Sequence, residues 1–307
     1  MPPVAVLALA VFGIAWAAPL VRLASAPPLV VATWRLVLAL GALGGVLVAT
    51  RGWRQWRTLA ARDHALAAAA GVMLALHFWS WNASLSYTTI AASVVLVNLQ
   101  PVIVAAGSAL LLREPPTRAQ WLGMAAAIAG AILVAVPDFG APARAVASPI
   151  AALPAAVVGD ALAVVGALTA SAYYLVGRRL RGALDLVPYV VLVYGWCLVT
   201  LVALCLARDE PLWPRPAADW WIFAGLAAGP MLLGHTGMNW ALRHLPAHVV
   251  NLTVLGEPVG AALLAMAIPA IGERPGPWTL AGGAAILAGA LLALGSPRPP
   301  RVSSPGS

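Results

Sequence analysis

The sequence contains no lysine, only two cysteines and few charges of either sign. Charged residues make up 9% of its 307 positions. A soluble domain carries about 25%, so this chain lacks the polar side chains to cover a water-facing surface. Without lysine there is no phosphate-cradling loop ending in Gly-Lys-Ser/Thr, which argues against ATP-driven work by this chain alone. No Gly-x-Ser-x-Gly nucleophile turn, no Asp-rich metal motif and no His/Cys cluster at metal-ligand spacing occurs. The expectation is therefore no catalytic residue, no metal, no cofactor and no enzyme. Cys197 and Cys205 stand eight residues apart on one expected helix. That is about 12 Å of rise, beyond the roughly 7 Å a disulfide spans, and both are read as packing residues.

What is present is apolar, at 62% of the chain. A membrane-spanning helix needs about 20 mostly apolar residues. Ten stretches qualify: 4–21, 29–50, 65–85, 89–112, 119–136, 156–177, 187–207, 220–242, 247–271 and 277–295. Short polar or Pro/Gly-rich connectors join them, and no soluble domain is left over. The fold class expected is all-α integral membrane, with ten transmembrane helices. The first stretch has small residues near Ala17 and Ala18 but no positively charged start, so it is read as an uncleaved span.

The net charge of +8 rests entirely on arginine. These arginines sit in loops beside spans, which argues for topology signals and against nucleic acid. With the N-terminus placed in the cytoplasm, twelve fall in inner loops (among them Arg51, Arg62, Arg113, Arg179, Arg243 and Arg298) and five in outer loops (Arg22, Arg144, Arg208, Arg215, Arg274). That bias puts both termini of a multi-pass chain in the cytoplasm, with the cell (cytoplasmic or inner) membrane as its location. Seven tryptophans (53, 56, 121, 213, 220, 221, 278) fall at span ends, where indole favours the interface.

The apolar sequence is also written twice. Residues 81–102 align without a gap to 238–259, matching Asn82 to Asn239, Leu85 to Leu242, Val97 to Val254 and Pro101 to Pro258. After a two-residue slip Glu114 matches Glu273, Gly123 matches Gly282 and Gly130 matches Gly289. The organisation expected is a first repeat over 1–136, a Pro- and Ala-rich linker over 137–155, a second repeat over 156–295 and a disordered tail over 296–307. Five spans on each side of the linker force the second repeat to enter the membrane reversed, giving two inverted five-helix repeats. Halves related in this way can open a central site to each side in turn.

These residues resemble the EamA family of the drug/metabolite transporter superfamily. In the first half the pattern reads NASL, LQP, REPPT and LGMAAAIAGAILV; in the second, NWAL, GEP, GERPG and LAGGAAILAGALL. The segment PPLVVATWRLVLAL, carrying Arg35, fits as well. The resemblance covers roughly residues 4–295 and lies in the joint pattern. It implies ten helices, a five-plus-five inverted repeat and movement of small metabolites, often outward. It fixes no substrate.

Ionisable groups inside spans are costly and mark pathways. Glu257 precedes Pro258, whose missing N–H loosens the helix and frees a carbonyl, so it suits a cation or proton; a structural ion pair is the alternative. Its repeat partner is neutral Gln100, before Pro101, which makes the site electrostatically lopsided. Arg35 either meets a substrate carboxylate or locks spans together, and the structural role is favoured here. His77 and His235, with Asn82 and Asn239 further along the same helices, are expected to face a cavity. Each histidine serves equally well as a packed core residue. Asn98, Gln100 and Asn251 are cavity lining or interhelical glue. Trp16, Trp81 and Tyr173 complete the expected lining; deep Trp79 and Trp240 fit a lining or a packing role alike.

The function expected is a secondary membrane transporter exporting a small metabolite, such as an amino acid or related compound, by alternating access. A carrier of drugs or other solutes in the same superfamily is the nearest rival. From other classes, a multi-pass membrane enzyme lacks the clustered acids it needs, and a channel-like scaffold would lack saturable transport. The partners expected are a small-molecule substrate and the bilayer, with a homodimer compatible with the sequence.

Overall fold

Proline sets where many of the helices begin. Pro3, Pro28, Pro101 and Pro258 each stand in a first helical turn, where the missing N–H has no intrahelical partner to lose. The computed structural model describes residues 2–88, 90–112, 116–135, 153–213, 217–271 and 277–294. Glu114, Glu273, most of the 137–155 linker and the 296–307 tail lie outside these residues.

In the first half, α1 (Pro3–Ala15) and α2 (Ala17–Leu23) meet at Trp16, and α3 (Pro28–Ala49) follows. A 3-10 turn over Gly52–Thr58 leads to α4 (Ala61–Tyr87). Next come α5 (Ile90–Val97), α6 (Gln100–Gly107) with a π segment over Ser108–Leu112, and α7 (Arg118–Ala135). The second half opens with α8 (Ala155–Leu180) and α9 (Leu186–Ala207). Then α10 (Asp219–Leu226), a π segment over Ala227–His235 and α11 (Thr236–Ala241) run on without a gap. α12 (Ala247–Leu252), a 3-10 turn over Thr253–Gly256, α13 (Glu257–Ala267) and α14 (Pro277–Leu294) complete the chain. Among the described residues there is no strand, as expected where lipid cannot satisfy a sheet edge.

Among the described residues six helices are long and apolar enough to cross a membrane: Pro3–Leu23, Pro28–Ala49, Ala61–Tyr87, Val157–Leu180, Leu186–Ala207 and Ala247–Leu264. The other four expected spans are largely helical over their described residues but are not among these six. Two of the four are interrupted. The 89–112 stretch breaks between α5 and α6, and the 220–242 stretch changes register at Pro230, which lies inside its π segment. A proline there has no N–H for the α ladder, so the turn widens.

The halves pack on each other reciprocally. α4 lies along α8 and α9, while α1 and α3 lie along the Ala227–His235 segment. α7 and α14 approach so closely that a Cβ on Gly130 would stand 2.5 Å from the Gly282 carbonyl oxygen. A Cβ on Gly289 would likewise press on the Gly123 carbonyl oxygen. Since Gly123 and Gly130 match Gly282 and Gly289 in the repeat, each contact is the image of the other. The central core of Leu, Ala and Val side chains also encloses Tyr173, Tyr174, Tyr189, Tyr194 and Phe78, all buried. Cys197 and Cys205 are free and buried.

Polar contacts close the two ends. At one, Trp34 packs on Trp213 and Trp220, its Nε1 donates to the Leu212 carbonyl at 2.5 Å, and the Ser25 N–H donates to Asp219 Oδ1 at 3.0 Å. At the other, buried Arg181 donates from Nε to the Asn239 carbonyl at 2.9 Å and from Nη1 to the Leu184 carbonyl. Beside it Asp185 accepts from Gln55 Nε2 and from Arg243 Nη1, both at 2.8 Å, joining three loops. The Gln55 amide, then the Arg243 guanidinium, hold the Asp185 carboxyl below its ordinary value. A depressed carboxyl contributes its full stability above the unfolded value of about 3.9 and loses it as pH falls through the folded value. Thermal unfolding of Asp185→Asn should therefore trail the wild type slightly at pH 6, by about 1 kcal/mol at most for so exposed a pair. The gap should narrow as pH falls below the unfolded value and close only below the folded one, and a constant gap would contradict this role for the charge.

Candidate functional site

Two helix breaks at matching positions create the site. α5 gives way to α6 at Asn98–Leu99, just before Gln100 and Pro101. α12 gives way to α13 through Thr253–Gly256, just before Pro258, so that Glu257 is the first residue of α13. Local side chains add bonds to carbonyls of the turn before each break: Asn98 Nδ2 donates to Val94 at 2.7 Å, Asn251 Nδ2 to Ala247 at 3.0 Å and Thr253 Oγ1 to Val250 at 2.7 Å. Interrupted helices are tolerated at membrane depth where they border a cavity.

A cavity of about 40 Å³ lies at these breaks. Its polar lining comprises Arg35, His77, Asn98, Gln100, Tyr174, His235 and Glu257, with Phe78 and Trp81 beside them. Three repeat pairs line it together: Phe78 with His235, Val97 with Val254, and Gln100 with Glu257. All three follow the same 157-residue offset as the ungapped alignment, 235−78, 254−97 and 257−100. The cavity therefore sits where the two halves meet as equivalents.

The histidines converge, their ring centroids 6.2 Å apart. His77 Nδ1 lies 3.0 Å from the Gly166 carbonyl and its ring stacks on Trp81. His235 meets Phe78 edge to face at 5.2 Å and has the Tyr174 hydroxyl 3.5 Å from its Nδ1. Glu257 is buried, and among the described residues nothing hydrogen-bonds or ion-pairs with its carboxylate. The positive end of α13 is what the protein itself offers that charge. Arg35 lays its guanidinium over Phe78, with Cζ 3.5 Å from the ring centroid.

The sequence-derived candidates thus separate into two groups. His77, Trp81, Asn98, Gln100, His235 and Glu257 line the cavity, and so does Arg35, for which a structural role was favoured. The rest stand outside the lining. Asn251 bonds Gln100 from behind, and Asn239 bonds the Tyr173 hydroxyl and the His235 carbonyl. Asn82 Nδ2 donates to the Pro28 carbonyl at 3.3 Å, tying the end of α4 to the start of α3. Trp16, at the α1–α2 junction, packs on Phe12. Trp79 lies under Arg208 and Trp240 against His244, both away from the cavity. Pro101 and Pro258 open the half-helices without lining the space. Phe78, Tyr174 and Pro230 line it without having been singled out in the sequence. A signal existed for Pro230, a lone proline within an apolar stretch, and for Phe78, the repeat partner of His235.

Among the described residues no group of His, Cys, Asp and Glu could hold a metal ion. Searched by sequence, curated proteins return no match. A protein of known crystal structure superposes with a TM-score of 0.70 at 20% identity, covering 95% of this chain and 96% of the other. At that identity the likeness speaks for the fold alone. The EamA-like transporter family model matches twice, over residues 3–136 and 157–295, the two halves that meet at the cavity. With six apolar helices fit to span a bilayer and a double family match over most of its length, the chain is a multi-pass membrane protein of the EamA-like transporter family, within the drug/metabolite transporter superfamily.

Proposed function

We propose that the chain is a secondary transporter of the cell membrane that exports a small metabolite, an amino acid or related compound, by alternating access. In this reading ten spans form two inverted five-helix repeats, both termini are cytoplasmic, and the Gln55–Asp185–Arg243 end faces the cytoplasm. The observation that carries it is the cavity shared by three repeat pairs at the breaks of two proline-containing spans. A site on the axis relating the halves is what rocking one half against the other exposes to each side in turn. At about 40 Å³ the cavity holds about three waters in this conformation, so a metabolite enters only when the halves part.

Glu257 is the cation or proton site of this reading. It is buried, unpaired among the described residues and matched in the other repeat by neutral Gln100. His77 and His235 flank the route a proton would take through the cavity.

Counterflow tests the proposal. Liposomes holding the purified protein and a millimolar unlabelled amino acid should transiently concentrate the same labelled compound, saturably, for at least one member of a broad metabolite panel. Flux for no member would refute the transporter reading, and non-saturable flux would favour a channel.

A further inference from the structure

Arg35 is a buried charge with no ion-pair partner among the described residues. Its side chain is 1% exposed, and its Nε and Nη2 have no hydrogen-bond partner. The ion pairs among the described residues, Arg208–Glu210 and Arg243–Asp185, lie elsewhere. The Phe78 ring lies against the guanidinium, with Cζ 3.5 Å from its centroid, and covers one face. A guanidinium that merely locked helices together would spend its donors on carbonyls, as Arg181 does with Asn239 and Leu184. Arg35 does not, and it borders the cavity. Burying an unpaired charge is sustained where a ligand supplies the missing partner.

We propose that Arg35, held flat by Phe78, is the receptor for a carboxylate on the solute, taken as a bidentate pair on the guanidinium edge. The assignment rests on the transport reading above and narrows its substrate class. Glu257 lines the same cavity and is equally unpaired. The lining thus offers both a cation and a carboxylate, which fits a zwitterion bearing both an ammonium and a carboxylate group. His235, in contact with Phe78, and Trp81, stacked on His77, give the space between an aromatic wall suited to an apolar side chain.

The test uses the full-length protein in detergent and measures its unfolding midpoint with three matched sets: the L-amino acids, their carboxamides and the corresponding amines. The free acids should raise the midpoint, while the carboxamides should not. In Arg35→Lys, which keeps the charge and loses the fork, the acid concentration giving half the shift should rise about tenfold to a hundredfold. Phe78→Leu, which keeps Arg35 but frees its plane, should weaken the acids and spare any binding of the amines. This second variant distinguishes a receptor from a helix lock, because a lock would lower the midpoint without changing ligand preference. Stabilisation by no acid, equal stabilisation by acid and carboxamide, or unchanged affinity in both variants would each overturn the assignment. Counterflow of the same ligands separates the two claims. Binding without flux would refute transport while leaving the receptor in place. Flux of a solute lacking a carboxylate, indifferent to Arg35→Lys, would do the reverse.

Discussion

Glu257→Gln is expected to abolish accumulation driven by a pH gradient, by about a hundredfold, while counterflow at saturating substrate persists with an apparent KM raised about tenfold. The reasoning starts from position. Glu257 is the first residue of α13, so its carboxylate meets the positive end of that helix, yet no described side chain compensates it. A lone buried carboxylate of this kind holds one positive partner at a time, either a proton or a cationic group on the solute. Competition for a single carboxylate couples the two movements without any second site. Glutamine keeps the shape and removes the competition. It also makes the second repeat match the first, where Gln100 already occupies the equivalent place. A variant that still responds fully to a pH gradient would show that the proton is carried elsewhere, with His77 and His235 next in line.

Gly289→Leu is expected to be the most damaging substitution far from the cavity. A Cβ at Gly289 would press on the Gly123 carbonyl oxygen and stand 2.9 Å from the Ala127 nitrogen. Backbone cannot swing aside as a side chain can, so α7 and α14 must separate along their contact. Overpacking costs about 1–3 kcal/mol where neighbours can adjust, and the upper end applies against backbone. The variant should show a lowered unfolding midpoint and a poor yield of monodisperse protein. Gly130→Leu should behave alike, since its Cβ would meet the Gly282 carbonyl in the mirrored contact. Gly195→Leu is the control, because a Cβ there meets nothing within 4 Å. Equal behaviour of Gly195→Leu and Gly289→Leu would contradict the packing argument.

The architecture was legible because its determinants are local and repeated. Proline at matched positions marks the two spans broken at the cavity, and glycines spaced seven apart mark the α7–α14 contact in each half. Glu257, His77 and His235 were legible because an ionisable side chain in an apolar run is conspicuous. The neutral members of the site were harder to see. Phe78 and Tyr174 belong to runs where an aromatic residue carries no signal of direction, and only packing decides which face it takes. The asparagines show the converse. Asn82 and Asn239 are polar in a span, yet they serve backbone carbonyls at helix junctions, a need that composition does not display. For Arg35 the sequence allowed a lock or a receptor. What bears on that choice is that, among the described residues, Nε and Nη2 make no donor contact, a fact of three-dimensional arrangement.

The central claim is that one cavity between the two halves opens to both sides of the membrane. It is tested most directly by placing a single thiol in that cavity. In a Cys197→Ala, Cys205→Ala background, Val97→Cys puts a thiol on the cavity wall, since Val97 lines it. A membrane-impermeant thiol reagent is then applied to right-side-out and to inside-out vesicles, with and without a transported solute. The account predicts labelling from both sides, with the solute changing both rates and shielding the thiol at saturation. Labelling from one side alone, whatever the solute, would contradict it.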